Sequence, residues 1–460
     1  MLANDFGGFI ASTTFDDLPV EVIEAAKLRV LDLLGAALAG YQLGCHANLL
    51  PLVQNPGPST AWGVGTPLSV RDATLLNTFM SHALYIEDGS RYTGGHPACV
   101  VIPAALALAE SRQASGRELI AAVAVGYEIF LRLGRALYPS LLERGFQSTA
   151  VIGAAAAASA CARLMDLSPA QSTDSLAIAC TLGVGFKESS KSPTSQPLQV
   201  ARSAESGVLA TLFAAQGVPG AESILENGFL PGFAAKPDPV ALTDELGKRF
   251  SIAEVYTKIH GGCRGNHAPV DLIARLTQGE RLVAGRIAAI KIRVDSATFA
   301  NEIALPANGK QAQYSVAFAV AAQLVYGESS VFRYTDAALG DPEIQTLMAC
   351  TEVEADPKLD LAFPDKRGAS IKIVMHDGSC RQGEIDNALG EPEHPFSHEQ
   401  IEAKFLSLTE QLPDRRGKSI LACVQQLDVL DDISALCSQL DLGHAFPHST
   451  VTSDSIKRVS

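Results

Sequence analysis

The chain has no Cys-x-x-Cys pair. Its nine cysteines are scattered, so spacing encodes neither a zinc knuckle nor an iron–sulfur cluster, and most read as buried reduced thiols. No metal site and no cofactor are expected. Lysine and arginine form no run anywhere, and the formal net charge is -14. That argues against a nucleic-acid partner, because phosphate neutralisation needs a basic face. A small anionic substrate remains compatible, since a few local cations bind a carboxylate whatever the total charge. The phosphate loop GxxxxGK[ST] is missing, and no GxGxxG follows a strand. The opening stretch MLANDFGGFIASTTFDDLP carries acids where a signal peptide needs bases, which gives the expectation of a soluble, cytoplasmic protein. The most membrane-like stretch, AVIGAAAAASACA at 150–162, falls short of the roughly 18 to 20 apolar residues that a spanning helix needs. It reads as a core helix whose small side chains let neighbours approach closely, and no membrane association is expected.

What is present is ample apolar material, 47% of 460 residues, enough for two domains. Helix signals dominate the first 230 residues. Asp17 and Pro19 open an amphipathic run ending near Gly40, Ser115 and Glu118 form a capping box before LIAAVAVGYEIFLRL, and Ser168, Pro169 and Gln171 start another helix in the same way. After 280 the period changes. Ile290, Ile292 and Val294 alternate with Lys291 and Arg293, the signature of a half-buried strand, and SIKIVMHDGSCRQGEI contains the hairpin signal Asp377-Gly378. From Ser397, which forms a capping box with Gln400, the helical pattern resumes through KSILACVQQL and DISALCSQL.

Two segments are richer in polar function than packing requires. In SHALYIEDGSRYTGGHPACVVIP, a loop carrying Glu87, Asp88, Arg91, Tyr92 and His96 runs into a helix expected from Pro97. An imidazole there lies beside unpaired backbone N–H groups, which hold an anion and favour the neutral ring that a general base requires; the plainer alternative is that His96 caps the helix. The second segment, KIHGGCRGNHAPVD at 258–271, gathers Lys258, Cys263, Arg264 and His267 among glycines that permit tight turns. Lys258, Arg264 and His267 are suited to binding carboxylates and moving a proton. Cys263 reads as a small packing residue, since no dedicated base is spaced to activate it. His260 reads as exposed, and Asp271 as part of a helix beginning near Ala268.

SHALYIEDGS with GGHPACVVIPAALALAE, then RGFQSTAVIGAAAAASACARLMDLSPAQSTDSLAIA, VARSAESGVLATLFAAQGVPGAESILE, KIHGGCRGNHAPVD and AQYSVAFAVAAQL resemble, in that order, the MmgE/PrpD family over nearly the whole chain. The resemblance implies a mainly α fold with a smaller α+β part: a large all-helical domain formed by both chain ends, residues 1–266 and 397–460, with an inserted α+β lid domain at 267–396. It also implies a homodimer and a cofactor-free site for small polycarboxylates at the domain junction.

The family's decarboxylase and dehydratase branches differ from this chain at four positions. Tyr85 stands where they carry an aspartate, Gln147 for a histidine, Gln196 for a lysine and Phe318 for a tyrosine. His96, Lys258, Cys263 and His267 are retained. Expelling a fragment needs groups that protonate what leaves or what remains, whereas epimerisation beside a carboxylate needs two proton carriers and cations for the enolate-like intermediate. The resemblance and its departures therefore imply an epimerase or racemase acting on an iminodisuccinate-like substrate. His96 and Lys258 are the candidate bases and Tyr92 or His267 the opposite partner. Arg91 and Arg264 would clamp carboxylates, and Gln147, Gln196 and Cys263 would complete the substrate set. A dehydratase or decarboxylase of a small tricarboxylate (2-methylcitrate or cis-aconitate type) is the alternative, and a non-catalytic polycarboxylate-binding protein is the third reading.

Overall fold

The computed structural model describes residues 1–192, 194–278 and 280–443, which divide into two compact units. Unit 1 takes residues 1–83, 87–255 and the chain from Ser397; unit 2 takes Leu84–Ile86 and Tyr256–Phe396. The end of the expected helical return, residues 444–460, lies outside the described residues.

Counting helices of seven residues or more among the described residues, unit 1 begins with α1 (Leu2–Ser12), α2 (Val20–Gln42), α3 (Val70–His82) and α4 (Ala98–Ser111). It continues with α5 (Gly116–Leu137), α6 (Ser148–Leu164), α7 (Pro169–Cys180) and α8 (Ser195–Ala215). The sequence punctuation acts where it stands: Ser115 and Ser168 each accept from the third helical N–H while Glu118 and Gln171 return the bond. The alanine-rich run forms α6, almost wholly buried, and small residues let α8 lie against it. A Cβ on Gly207 would stand 2.6 Å from the Ala154 carbonyl oxygen. The unit is not wholly helical, since β1 (Pro56–Thr60) and β2 (Pro67–Leu68) pair antiparallel. Two prolines within β1 hold φ in place and remove N–H donors, which keeps that segment extended.

Unit 2 contains α9 (His267–Thr277), β3 (Ile287–Val294), α10 (Val316–Tyr326), α11 (Pro342–Ala349), β4 (Thr351–Ala355), β5 (Ala369–Met375) and β6 (Cys380–Ile385). Its sheet has the order β4-β3-β5-β6, parallel between β3 and β4 and antiparallel elsewhere. Ile290, Ile292 and Val294 face a core shared with Ile371 and Ile373 of β5 and with residues of α9, α10 and α11, while Lys291 and Arg293 point outward. The β5–β6 hairpin turns at Asp377-Gly378, with Gly378 at φ 85°. Unit 2 starts earlier than the expected boundary at 266. The stretch 257–263 is bonded into this unit through Thr257 N to Gly390 O, Gly261 N to Ser329 O and Cys263 N to Gln313 O.

The chain re-enters unit 1 at Ser397, whose capping box with Gln400 starts α12 (His398–Leu408), followed by α13 (Arg416–Gln425) and α14 (Ser434–Leu440). α12 lies on α2, where the missing side chain of Gly35 leaves room for the Phe405 ring at 3.1 Å, and buried Lys404 pairs with buried Asp32. No helix among the described residues is long and apolar enough to cross a membrane.

Candidate functional site

In unit 1 the polar loop between α3 and α4 folds back on itself: Ser90 N donates to Gly95 O at 2.9 Å, and the Ser148 hydroxyl donates to Thr93 O at 2.6 Å. The His96 amide donates to Thr149 Oγ1 at 3.0 Å, so the start of α6 holds the loop end. His96 does not cap α4. Its Nδ1 lies 2.6 Å from the Asp88 main-chain carbonyl oxygen, and the Asp88 carboxylate takes the capping place, accepting from the Ala98 amide at 3.2 Å. A carbonyl oxygen can only accept, so Nδ1 carries a proton, and in the neutral ring this leaves Nε2 as the basic nitrogen.

Asp88 has no exposed surface and also accepts from the Tyr127 hydroxyl of α5 at 2.7 Å. Burial pushes its carboxyl up to about 6, against the charge of Arg29 and the Tyr127 hydrogen bond. Beside it, Glu87 Oε1 lies 2.5 Å from His82 Nδ1 and 3.6 Å from His96 Nδ1. Gln196 Nε2 lies 3.3 Å from His82 Nε2, the rings of His82 and His96 are 5.3 Å apart, and Cys99 Sγ is 3.8 Å from His82 Nδ1. His82, Glu87 and Cys99 are fully buried, and their nitrogen, oxygen and sulfur atoms lie within 4.8 Å of one another. Tetrahedral zinc keeps such atoms roughly 3.3 Å or more apart. The 2.5 Å separation is a hydrogen bond, and the trio would have to open to take an ion.

Two further candidates of unit 1 are engaged locally. Gln147 caps α6, its Oε1 accepting from the Ala150 amide at 2.6 Å, which leaves its amide NH2 as the free end of the side chain. The Arg91 guanidinium lies 5.1 Å from the centre of the half-buried Tyr92 ring.

In unit 2, Lys258 is 1% exposed and donates to the Tyr85 carbonyl oxygen at 2.6 Å. Tyr85 has φ 52°, a left-handed conformation uncommon for a residue with a side chain, and its ring meets that of Tyr314 edge to face at 5.6 Å. Arg264 lies in a 3-10 turn directly before α9. Its Nε and Nη2 donate to Glu391 Oε1 at 2.9 and 2.6 Å, and its guanidinium lies 4.8 Å from the centre of the Tyr256 ring. Its fork thus already holds an internal carboxylate. The buried Nη1 has no hydrogen-bond partner among the described residues.

Cys263 is half-buried and held through its main chain. The turn before it requires Gly262, at φ 85°, where a Cβ would stand 2.5 Å from Gln313 O. His267 opens α9, fully buried, with its ring 5.4 Å from that of His260. His260 is not an exposed residue: it is 17% exposed and paired with Asp271 at 2.8 Å.

The structure therefore gathers His96 and Gln196 around His82 and Glu87, and ties the Gln147 turn to the same loop. In unit 2 it sets Cys263, Arg264 and His267 along one turn and helix start. Sequence reading missed His82, Tyr127 and Glu391. His82 had a signal, since His82-x4-Glu87 and His96-x2-Cys99 put four ligand-type side chains within eighteen residues. Tyr127 and Glu391 had none, because each meets its partner across a long stretch of chain.

Comparison with known proteins gives a consistent answer. Residues 4–240 match the MmgE/PrpD N-terminal domain and residues 260–428 the MmgE/PrpD C-terminal domain. A cis-aconitate decarboxylase from Aspergillus terreus is 29% identical over 457 residues, covering 93% of this chain and 93% of that protein. The Homo sapiens cis-aconitate decarboxylase is 25% identical over 460 residues (95% and 94%), and that of Mus musculus 24% over 486 (98% of each). These relatives are lyases and give no support to the epimerase expectation.

Proposed function

The chain belongs to the MmgE/PrpD family, and from that premise we propose that it is a lyase acting on a small tricarboxylate of the cis-aconitate or 2-methylcitrate kind. The observation that carries this reading is the His96 imidazole, its Nδ1 proton directed to the Asp88 carbonyl and its side chain 15% exposed, an arrangement suited to a group that exchanges a proton. In a decarboxylation the carbon–carbon bond to the departing carboxylate breaks, carbon dioxide leaves, and the electron pair on carbon takes a proton. In a dehydration a base removes the proton beside a carboxylate while an acid protonates the hydroxyl, which leaves as water. Both pass negative charge through an enolate-like carboxylate, which nearby cations stabilise. Lys258 and Arg264 are assigned that role. The unpaired buried Nη1 of Arg264 supports it, because a buried donor without an acceptor costs about 1 to 3 kcal/mol and a substrate oxygen would relieve that cost. Tyr92 or His267 is assigned as the second proton carrier, with Arg91, Gln147, Gln196 and Cys263 contacting substrate.

Inversion of a carbon beside a carboxylate, with nothing expelled, is the second reading. Gln147 and Gln196 favour it, being neutral amides that hydrogen-bond but do not titrate. A homodimer is also proposed. Exposed Leu182, Val184 and Phe186 precede α8, which itself exposes Leu198, Leu212 and Phe213, and apolar surface of this kind is suited to a second copy.

The deciding experiment incubates the purified protein with cis-aconitate, 2-methylcitrate and iminodisuccinate in heavy water, following products by proton NMR and released carbon dioxide. The lyase reading expects carbon dioxide or a new double bond from a tricarboxylate, with deuterium carried into carbon wherever carbon dioxide departs. Deuterium exchange and inversion of iminodisuccinate, with both tricarboxylates untouched, would replace it by the second reading.

A further inference from the structure

Asp88 makes three contacts that converge on one imidazole. Its main-chain carbonyl accepts from His96 Nδ1 at 2.6 Å, one carboxylate oxygen accepts from the Ala98 amide at 3.2 Å, and the other accepts from the Tyr127 hydroxyl at 2.7 Å. Ala98 is the first residue of α4, two positions beyond His96, and Tyr127 sits inside α5. The residue thus ties the loop that carries the imidazole to two helices, at a place where both Asp88 and Tyr127 are fully buried. A backbone carbonyl positions a ring only as well as it is itself held. Without the carboxylate contacts, this one would belong to a loop of eight residues between Asp88 and Pro97 containing Gly89, Gly94 and Gly95. Burial of the Asp88–Tyr127 pair away from water suits a bracing role, since neither group is placed to exchange protons with a substrate.

We propose that Asp88, braced by Tyr127, is a positioning residue for His96: it fixes the ring in the Nδ1–H tautomer and aims the Nε2 lone pair. This rests on the assignment of His96 as a proton carrier, but its first readout is independent of turnover. Nitrogen-15 NMR of the full-length protein labelled at histidine distinguishes the two neutral tautomers. The His96 signals are identified by their loss in His96→Gln. The expected result is an Nδ1–H tautomer for His96 at neutral pH in the parent, and a mixture of tautomers in Tyr127→Phe, which removes one hydroxyl from a buried ring.

On the substrate the parent turns over, Tyr127→Phe should lower kcat about 100-fold, the scale of a catalytic group misplaced by about 1 Å, while KM stays within about threefold. Asp88→Asn offers the second variant. Its amide can still accept from Ala98, and the Tyr127 hydroxyl can turn to accept from its NH2, so a folded protein that largely retains the parent kcat would mark the brace as geometric. A parent spectrum showing the Nε2–H tautomer overturns the proposal, as does Tyr127→Phe with unchanged tautomer and unchanged kcat. If the tautomer shifts in Tyr127→Phe while His96→Gln leaves turnover intact, the positioning stands and the proton-carrier assignment falls.

Discussion

Asp88 allows a quantitative test on the folding equilibrium of unit 1. Its carboxyl is moved from an ordinary 3.8 to about 6, with burial the largest cause. Because the folded value lies above the unfolded one, the folded protein holds this proton more tightly. The associated stability is fully present below about pH 3.8 and is lost as pH rises through about 6. A rise from 3.8 to about 6 corresponds to about 3 kcal/mol in all, of which about 2 kcal/mol falls between about pH 4.5 and 7.5. Replacing Asp88 by Asn removes the titration while keeping the shape. Any constant cost of the altered contact with Tyr127 cancels when the gap between parent and variant is compared across pH. The sequence contains one tryptophan, Trp62, which is 1% exposed and lies in unit 1, so its fluorescence during urea unfolding follows the relevant unit. Relative to Asp88→Asn, the parent should lose about 2 kcal/mol as pH rises from 4.5 to 7.5. A gap that stays flat, or a parent that gains on the variant as pH rises, would refute the reasoning.

Further outcomes follow from contacts in both units. His96→Gln should reduce kcat by about 10² to 10⁴, the usual contribution of a general acid–base group, and steady-state kinetics on the accepted substrate reads it directly; a loss under threefold would remove His96 from the chemistry. Glu391→Ala leaves the Arg264 guanidinium, 6% exposed, without its carboxylate and should destabilise unit 2 by about 3 to 5 kcal/mol, measured by urea unfolding followed by circular dichroism. Ile292→Ala, in the centre of β3 with no exposed surface, should cost about 2 to 5 kcal/mol on the same measurement, while Lys291→Ala on the outward face should cost under about 0.5 kcal/mol.

The parts of this fold that could be read from sequence are those whose physics is local. Ser115 with Glu118, Ser168 with Gln171 and Ser397 with Gln400 close their capping boxes within one helical turn, so spacing alone locates three helix starts. The alternation around Ile292 identifies a strand for the same reason. β4 was not anticipated: TEVEA carries two charges, and its pairing with β3 is parallel across an intervening stretch of more than fifty residues. The site divides in the same way. His96 was legible as a loop histidine before a helix, but its orientation depends on Asp88 gripped by Tyr127, 39 positions away. Gln196 reaches His82 across 114 positions and Arg264 reaches Glu391 across 127, and no local pattern encodes such meetings. Unit 2 begins at Tyr256, ahead of the expected boundary at 266, because the amides of Thr257, Gly261 and Cys263 are bonded to residues far along the chain, which no local pattern encodes.

The packing of α12 on α2 has a consequence for biosynthesis. Asp32 waits in a nascent chain for Lys404, 372 positions later, and the notch at Gly35 waits as long for Phe405. At about 5 to 20 residues per second, a ribosome leaves that acidic, apolar groove uncovered for roughly 20 to 75 seconds. During that interval the groove is a surface for chaperones to shield, and a stop codon ahead of α12 would leave it bare permanently.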